Sequence, residues 1–228
     1  MREVDRAMIE DFHIELVQMM ENAGRSLAHL ARRRFLEGDP RGQMVMVLAG
    51  TGGNGGGALV CARRLHGYGA KVAVLTTRPK EDFTPVPAHQ LEILERMQVP
   101  LSTMITPPET APDLIIDGII GYGLQGDPRS SAADLIRWAN GADAPILSLD
   151  APSGVDTTTG TVYNPAIRAI ATLTLALPKE GLRAPGVEAQ VGELYLADIG
   201  VPPSLYAGPG LELAVGNIFA EGDIVRLH

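Results

Sequence analysis

The first 36 residues place apolar side chains at Met8, Ile9, Leu16, Met19, Met20, Ala23, Leu27, Leu30 and Ala31. That stripe has helical spacing and predicts helix with one buried face. Gly38, Asp39 and Pro40 then break the pattern. Residues 43–49 (QMVMVLA) are a short apolar run that predicts a buried strand, and residues 58–66 (ALVCARRLH) return to helical spacing. Further on, residues 71–76 (KVAVLT) predict a strand, 87–97 a helix and 99–104 a short strand. Residues 114–120 (LIIDGII) and 145–149 (PILSL) read as buried strands on either side of a helix at 133–140, and residues 170–177 and 193–199 as two more strands. Apolar strands separated by helices predict a mostly parallel sheet covered on both faces, an α/β fold with three αβα layers and Rossmann-like order. The expectation is one domain over residues 1–228, with no motif from residue 204 onward.

The first strand and its helix are joined by Gly50-Thr51-Gly52-Gly53-Asn54-Gly55-Gly56-Gly57, six glycines in eight residues. Glycine is costly in backbone entropy, so such a run predicts positive φ or close approach of a ligand to the backbone. Free amides at the start of the helix would then face an anion. Gly50, Gly52 and Gly55 spell G-x-G-x-x-G, but the end of the next strand carries Thr76, Thr77 and Arg78 where a dinucleotide fold holds an acid. No Lys-Ser/Thr pair follows the glycines, which argues against a nucleoside-triphosphatase.

Charge narrows the classes further. Nineteen Lys and Arg against 27 Asp and Glu leave a net charge of −8, unsuited to a nucleic-acid or membrane surface. The N-terminus is charged and no apolar run approaches the roughly 18 residues of a membrane span, so a cytoplasmic location is expected. The single cysteine, Cys61, reads as a buried thiol within its helix. Ser153 lacks the G-x-S-x-G setting of a hydrolase, and His13, His29, His66, His89 and His228 show no metal-ligand spacing.

Two carboxylates stand out because they interrupt or end apolar strands. Asp117 lies within LIIDGII before the Gly121-Tyr122-Gly123 turn, and Asp150 follows PILSL directly. Each must find a cation or hydrogen bonds, since burying it alone is expensive. In a parallel sheet both lie on the carboxyl edge with the glycine segment, where ligands bind. A role as turn or cap acceptor is the alternative for each.

Five segments together resemble the YjeF N-terminal domain family, the NAD(P)H-hydrate epimerases. They are Met20-Glu21-Asn22-Ala23-Gly24, the glycine segment, DGIIGYGL from Asp117, Asp150-Ala151-Pro152-Ser153-Gly154, and Leu177-Pro178-Lys179-Glu180-Gly181-Leu182. They run in order between about Met1 and Pro203. The resemblance implies a Rossmann-like αβα fold, homodimers, a potassium ion as cofactor, and interconversion of the R and S epimers of hydrated NADH and NADPH. A hydrate dehydratase on a separate chain is a possible partner. Carried over by position, it implies substrate contacts from Gly53, Asn54, Gly55, Gly56 and Gly57, from Gly121, Tyr122, Gly123, Leu124, Gln125, Gly126 and Asp127, and from Asp150. It implies potassium ligation by Asn54, Asp117 and Ser153, and catalytic roles for Asp150 and Lys179. The family's loop reads G-x-G-N-N-G-G-D-G, whereas this chain has Gly53, Gly57 and Ala58 in place of its first asparagine, its aspartate and its last glycine. Two readings follow: an epimerase, or a nucleotide-binding module that keeps the pocket without the reaction.

Overall fold

The structure is a computed structural model that describes residues 1–105 and 111–227. All eight described strands join one sheet in the order β3-β2-β1-β4-β5-β6-β7-β8. They are β1 (Met44–Ala49), β2 (Lys71–Thr76), β3 (Leu101–Ser102), β4 (Leu114–Gly118), β5 (Ile146–Leu149), β6 (Ala171–Leu175), β7 (Glu193–Ala197) and β8 (Ile224–Arg226). Every pairing is parallel except that of β7 with β8. The longer helices are α1 (Arg2–Glu10), α2 (Leu16–Arg34), α3 (Gly53–Gly67), α4 (Pro85–Arg96) and α5 (Ser130–Gly141). Two single turns, α6 (Glu188–Val191) and α7 (Pro203–Tyr206), complete the set.

Alternation along the strands divides the core into two faces. Val45, Val47 and Ala49 of β1 pack with Leu27 of α2, Leu59 of α3 and Leu94 of α4. Met46 and Leu48 point the other way and pack with Leu135 and Ile136 of α5. Both faces are therefore apolar, as a parallel sheet between helices requires, and the three-layer α/β expectation holds. β1 lies between β2 and β4, so the strand order turns back at this point and opens a crevice beyond their carboxyl ends.

The Met20–Gly24 segment explains how α2 meets α3. Glu21 pairs with Arg63 and, at 3.1 Å, with Arg64, while the Asn22 side-chain amide donates to the Ile199 carbonyl at 3.2 Å. A Cβ on Gly24 would stand 2.4 Å from Val60 Cβ, so the helices cross where only glycine fits.

The sequence reading differs from the structure in four places. The N-terminal stripe is two helices, with His13 at φ 54 in the bend and a capping box between Glu15 and Gln18 opening α2. The third predicted strand shrinks to Leu101–Ser102. β8 lies beyond residue 204 and was not expected, because three partly exposed residues at a sheet edge leave little periodic signal. The glycine segment differs most: α3 starts at Gly53, and none of its six glycines has positive φ. Their smallness serves protein packing instead, since a Cβ on Gly55 would lie 1.8 Å from the Gly50 carbonyl oxygen and one on Gly57 2.7 Å from Leu149 Cδ2. Among the described residues no helix is long and apolar enough to cross a membrane, and His228 lies outside them.

Candidate active site

A cavity of about 590 Å³ opens at the switch point between β1 and β4. Gly52, Gly53, Asn54 and Gly57 form its floor, residues 119–123 one wall, and Leu149 and Asp150 the end of β5. Met19 and Met20 of α2 supply an apolar side, and Arg2, Asp5 and Ile9 of α1 supply the roof. A mostly apolar cleft with a few converging polar groups is the usual form of a small-molecule site.

Asp150 is the charged focus of this cavity. It is buried, and its backbone sits at φ 66, a left-handed conformation that costs a non-glycine residue about 1–2 kcal/mol. Its amide donates to the Leu173 carbonyl at 2.7 Å, which holds the bend against β6. Oδ1 is buried and stands 2.7 Å from the buried Lys179 ammonium; Oδ2 accepts the Tyr122 amide at 3.1 Å. Lys179 also donates to Thr174 Oγ1 at 2.8 Å and to the Leu175 carbonyl at 3.2 Å, so the ammonium is fixed on three sides. Removing either partner of a buried ion pair is costly, because it leaves the other charge buried without compensation.

Asp117, on the neighbouring strand β4, is arranged differently. Its Oδ1 accepts the Ser153 hydroxyl at 2.6 Å and the Ile119 amide at 3.2 Å, and its Oδ2 accepts the Ser148 hydroxyl at 2.8 Å and the Ser153 amide at 2.9 Å. Ser153 Oγ in turn accepts the Ile120 amide at 2.8 Å. Complete burial pushes the Asp117 carboxyl above the ordinary carboxylate range, and its hydrogen bonds pull it back only in part.

Asn54 completes the site from the first turn of α3. Both polar atoms of its side chain are buried and without partners. Its Oδ1 and Asp150 Oδ2 lie 3.2 and 3.0 Å from the point a Cβ would occupy on Gly121, so the two side chains close around that glycine. Among the described residues no three His, Cys, Asp or Glu side chains gather as a metal site. An unpaired amide oxygen beside the Asp150 carboxylate at Gly121 supplies oxygen donors of the kind a hard monovalent cation takes.

The remaining candidates divide clearly. Gly53, Asn54, Gly57, Gly121, Tyr122, Gly123 and Asp150 line the cavity. Gly55 and Gly56 are buried in α3, where a Cβ on Gly56 would meet Met20 Cε at 2.5 Å. Leu124, Gln125, Gly126 and Asp127 are not among the lining residues, and Asp127 accepts the Asn164 amide at 3.0 Å. Asp117, Ser153 and Lys179 lie behind the wall and are joined to one another or to Asp150. Asp5 was missed by sequence reasoning. It sits in a helix whose acids look like a solvated face, and only its position between buried Val4 and Met8 hinted otherwise.

The profile of the family described as YjeF-related protein N-terminus matches residues 16–181, a span that holds α2, the glycine segment, both carboxylates and Lys179. The chain belongs to this family. Among its YjeF-related relatives, the NAD(P)H-hydrate epimerase of Dehalogenimonas lykanthroporepellens is 42% identical over 228 residues, covering 100% of this chain and 90% of that protein. The bifunctional NAD(P)H-hydrate repair enzyme Nnr of Salinibacter ruber is 34% identical over 220 residues, covering 89% of this chain and 40% of that longer protein. The crystal structure of yeast ynu0 superposes with a TM-score of 0.81 at 26% identity, covering 99% of this chain and 96% of that one.

Proposed function

We propose that this YjeF-related chain is an NAD(P)H-hydrate epimerase, an isomerase that interconverts the R and S forms of hydrated NADH and NADPH. The observation that carries this reading is the Asp150–Lys179 ion pair, whose aspartate lines a cavity bounded by the opening of α3. Carbon 6 of the hydrate bears both the added hydroxyl and the ring nitrogen. Inverting it requires one of those bonds to break and re-form on the other face, and either route moves a proton onto or off the hydroxyl oxygen. Asp150 is placed to exchange that proton: it lines the cavity, its Oδ1 is buried against the Lys179 ammonium, and its Oδ2 accepts only the Tyr122 amide and so keeps acceptor capacity. A positioned carboxylate of this kind contributes about a hundredfold to ten-thousandfold in rate.

Gly53 and Asn54 would receive the nucleotide beside the start of α3, while Met19, Met20 and Leu149 exclude water from the ring. Asn54, whose amide oxygen is buried and unpaired, would hold a potassium ion, with Asp117 and Ser153, bonded to one another, bracing the turn behind it. When bound, that ion supplies positive charge next to substrate oxygens. Thermal unfolding in potassium chloride against caesium chloride at equal ionic strength tests the ion separately from turnover. The expected result is a higher melting temperature in potassium, lost in Asn54→Ala; equal curves in both salts would overturn the ion site.

A second reading, a nucleotide-binding module without turnover, rests on Gly57. It stands where the family's loop carries an aspartate, and Leu149 Cδ2 lies 2.7 Å from where the Cβ of a larger residue would go. Supplying R-hydrate with a dehydratase specific for the S form separates the two. Acceleration over spontaneous epimerisation supports the enzyme, whereas stabilisation by nucleotide without acceleration supports the module.

A further inference from the structure

Helix α1 lies outside residues 16–181, yet one of its carboxylates lines the cavity. Its other acids face away: Glu3 and Glu10 pair with Arg6 on the outer surface, as does Asp11 just past the end of the helix. Asp5 alone turns inward, where its Oδ2 accepts the Tyr122 hydroxyl at 2.5 Å. Burial pushes the Asp5 carboxyl up and the Tyr122 hydroxyl pulls it back. α1 does not need this contact in order to dock. Val4, Ala7 and Met8 are buried in a cluster with Met19, Ile199, Leu205 and Tyr206.

Tyr122 is flanked by Gly121 and Gly123, so the backbone on either side does little to hold its amide in place. That amide is nevertheless the one hydrogen-bond donor to Asp150 Oδ2, on a residue already at a strained φ of 66. The side chain of Tyr122 is the handle by which the loop is fixed, and Asp5 is what grips it. We propose that Asp5 is a positioning residue for the reaction: through the Tyr122 hydroxyl it holds the Tyr122 amide on Asp150 and so orients the carboxylate opposite Lys179. This inference rests on the epimerase reading for its chemistry, and on the Asp5–Tyr122–Asp150 chain of contacts for its geometry.

Two readouts test it, one with turnover and one without. In the coupled epimerisation assay, Asp5→Ala and Tyr122→Phe should each lower kcat about tenfold with KM within about threefold of wild type. The double variant should fall no more than about twofold below either single, because both changes break one connection. Asp5→Asn keeps an oxygen that accepts the hydroxyl and should stay within about threefold of wild type. Hydrogen exchange of the Tyr122 amide should speed up about tenfold in Asp5→Ala and Tyr122→Phe and not in Asp5→Asn. If Asp5→Ala does not fold, Tyr122→Phe and Asp5→Asn carry the same contrast. An undiminished kcat, a change in KM alone, losses that multiply in the double variant, or unchanged amide exchange would overturn the proposal. A wild-type chain without epimerase activity would overturn the functional reading instead, and the exchange experiment would still decide whether Asp5 holds Tyr122 on Asp150.

Discussion

Asp117 and Asp150 are two buried carboxylates at the carboxyl edge of one sheet, and they are built for opposite purposes. Asp117 receives two donors on each oxygen, all from the protein, and lies behind the cavity wall. Asp150 has one amide on one oxygen and an ammonium beside the other, and it lines the cavity. A carboxylate whose acceptor sites are filled by protein donors fastens a turn; one that keeps capacity unused and faces a cavity can handle a substrate proton. Burial is common to both and does not distinguish them. The donor count and the direction of the spare capacity do.

The largest expected effect that would break this comparison is on stability at Asp117. Asp117→Ala strands the Ile119 and Ser153 amides and two hydroxyls, and should lower the unfolding free energy by about 3–5 kcal/mol in urea titrations. A loss below 1 kcal/mol would mean the four contacts do not fasten the turn. Next come the glycines beside each carboxylate. A Cβ on Gly118 meets Ala58 Cβ at 2.3 Å, so Gly118→Ala should cost about 1–3 kcal/mol by overpacking. A Cβ on Gly121 stands 3.0 Å from Asp150 Oδ2 and 3.1 Å from Asn54 Cγ, so Gly121→Ala should instead lower kcat about tenfold with little change in melting temperature. If both variants lose only stability, the two regions are not functionally distinct.

The smallest effect is one of pH. Because burial raises the folded pKa of Asp117 above the ordinary aspartate value of 3.8, the folded state binds that proton more tightly than the unfolded chain. The group therefore contributes most stability below 3.8, and its contribution falls as pH rises through the folded value. The stability of wild type relative to Asp117→Asn should decrease across that window; an increase would show that its donors outweigh burial.

Much of this arrangement was legible in the sequence, and the exceptions share a cause. Asp117 and Asp150 were visible because a charge within or just after an apolar strand is a local anomaly. The sheet was visible because β1, β2, β4 and β5 are short, mostly apolar runs set between helical patterns. The Lys179–Asp150 pair was not, since it depends on β5 and β6 lying side by side and on a bend at φ 66. Asp5 was invisible for the same reason: its partner Tyr122 is 117 residues away, and its own helix reads as an ordinary amphipathic one. The glycine segment misled in an instructive way. Its residues were read as freedom for a ligand, but Gly55, Gly56 and Gly57 are small so that α3 can start against Gly50, Met20 and Leu149; only Gly52 and Gly53 face open space.

The central claim is that Asp150, paired with Lys179, moves the proton on the hydrate. Its most direct test is the rate at which purified wild type and Asp150→Asn convert R-hydrate in potassium buffer, read through an S-specific dehydratase. The prediction is clear acceleration by wild type and a loss of about a hundredfold to ten-thousandfold in a variant that still unfolds cooperatively. Equal rates for the two proteins would contradict it.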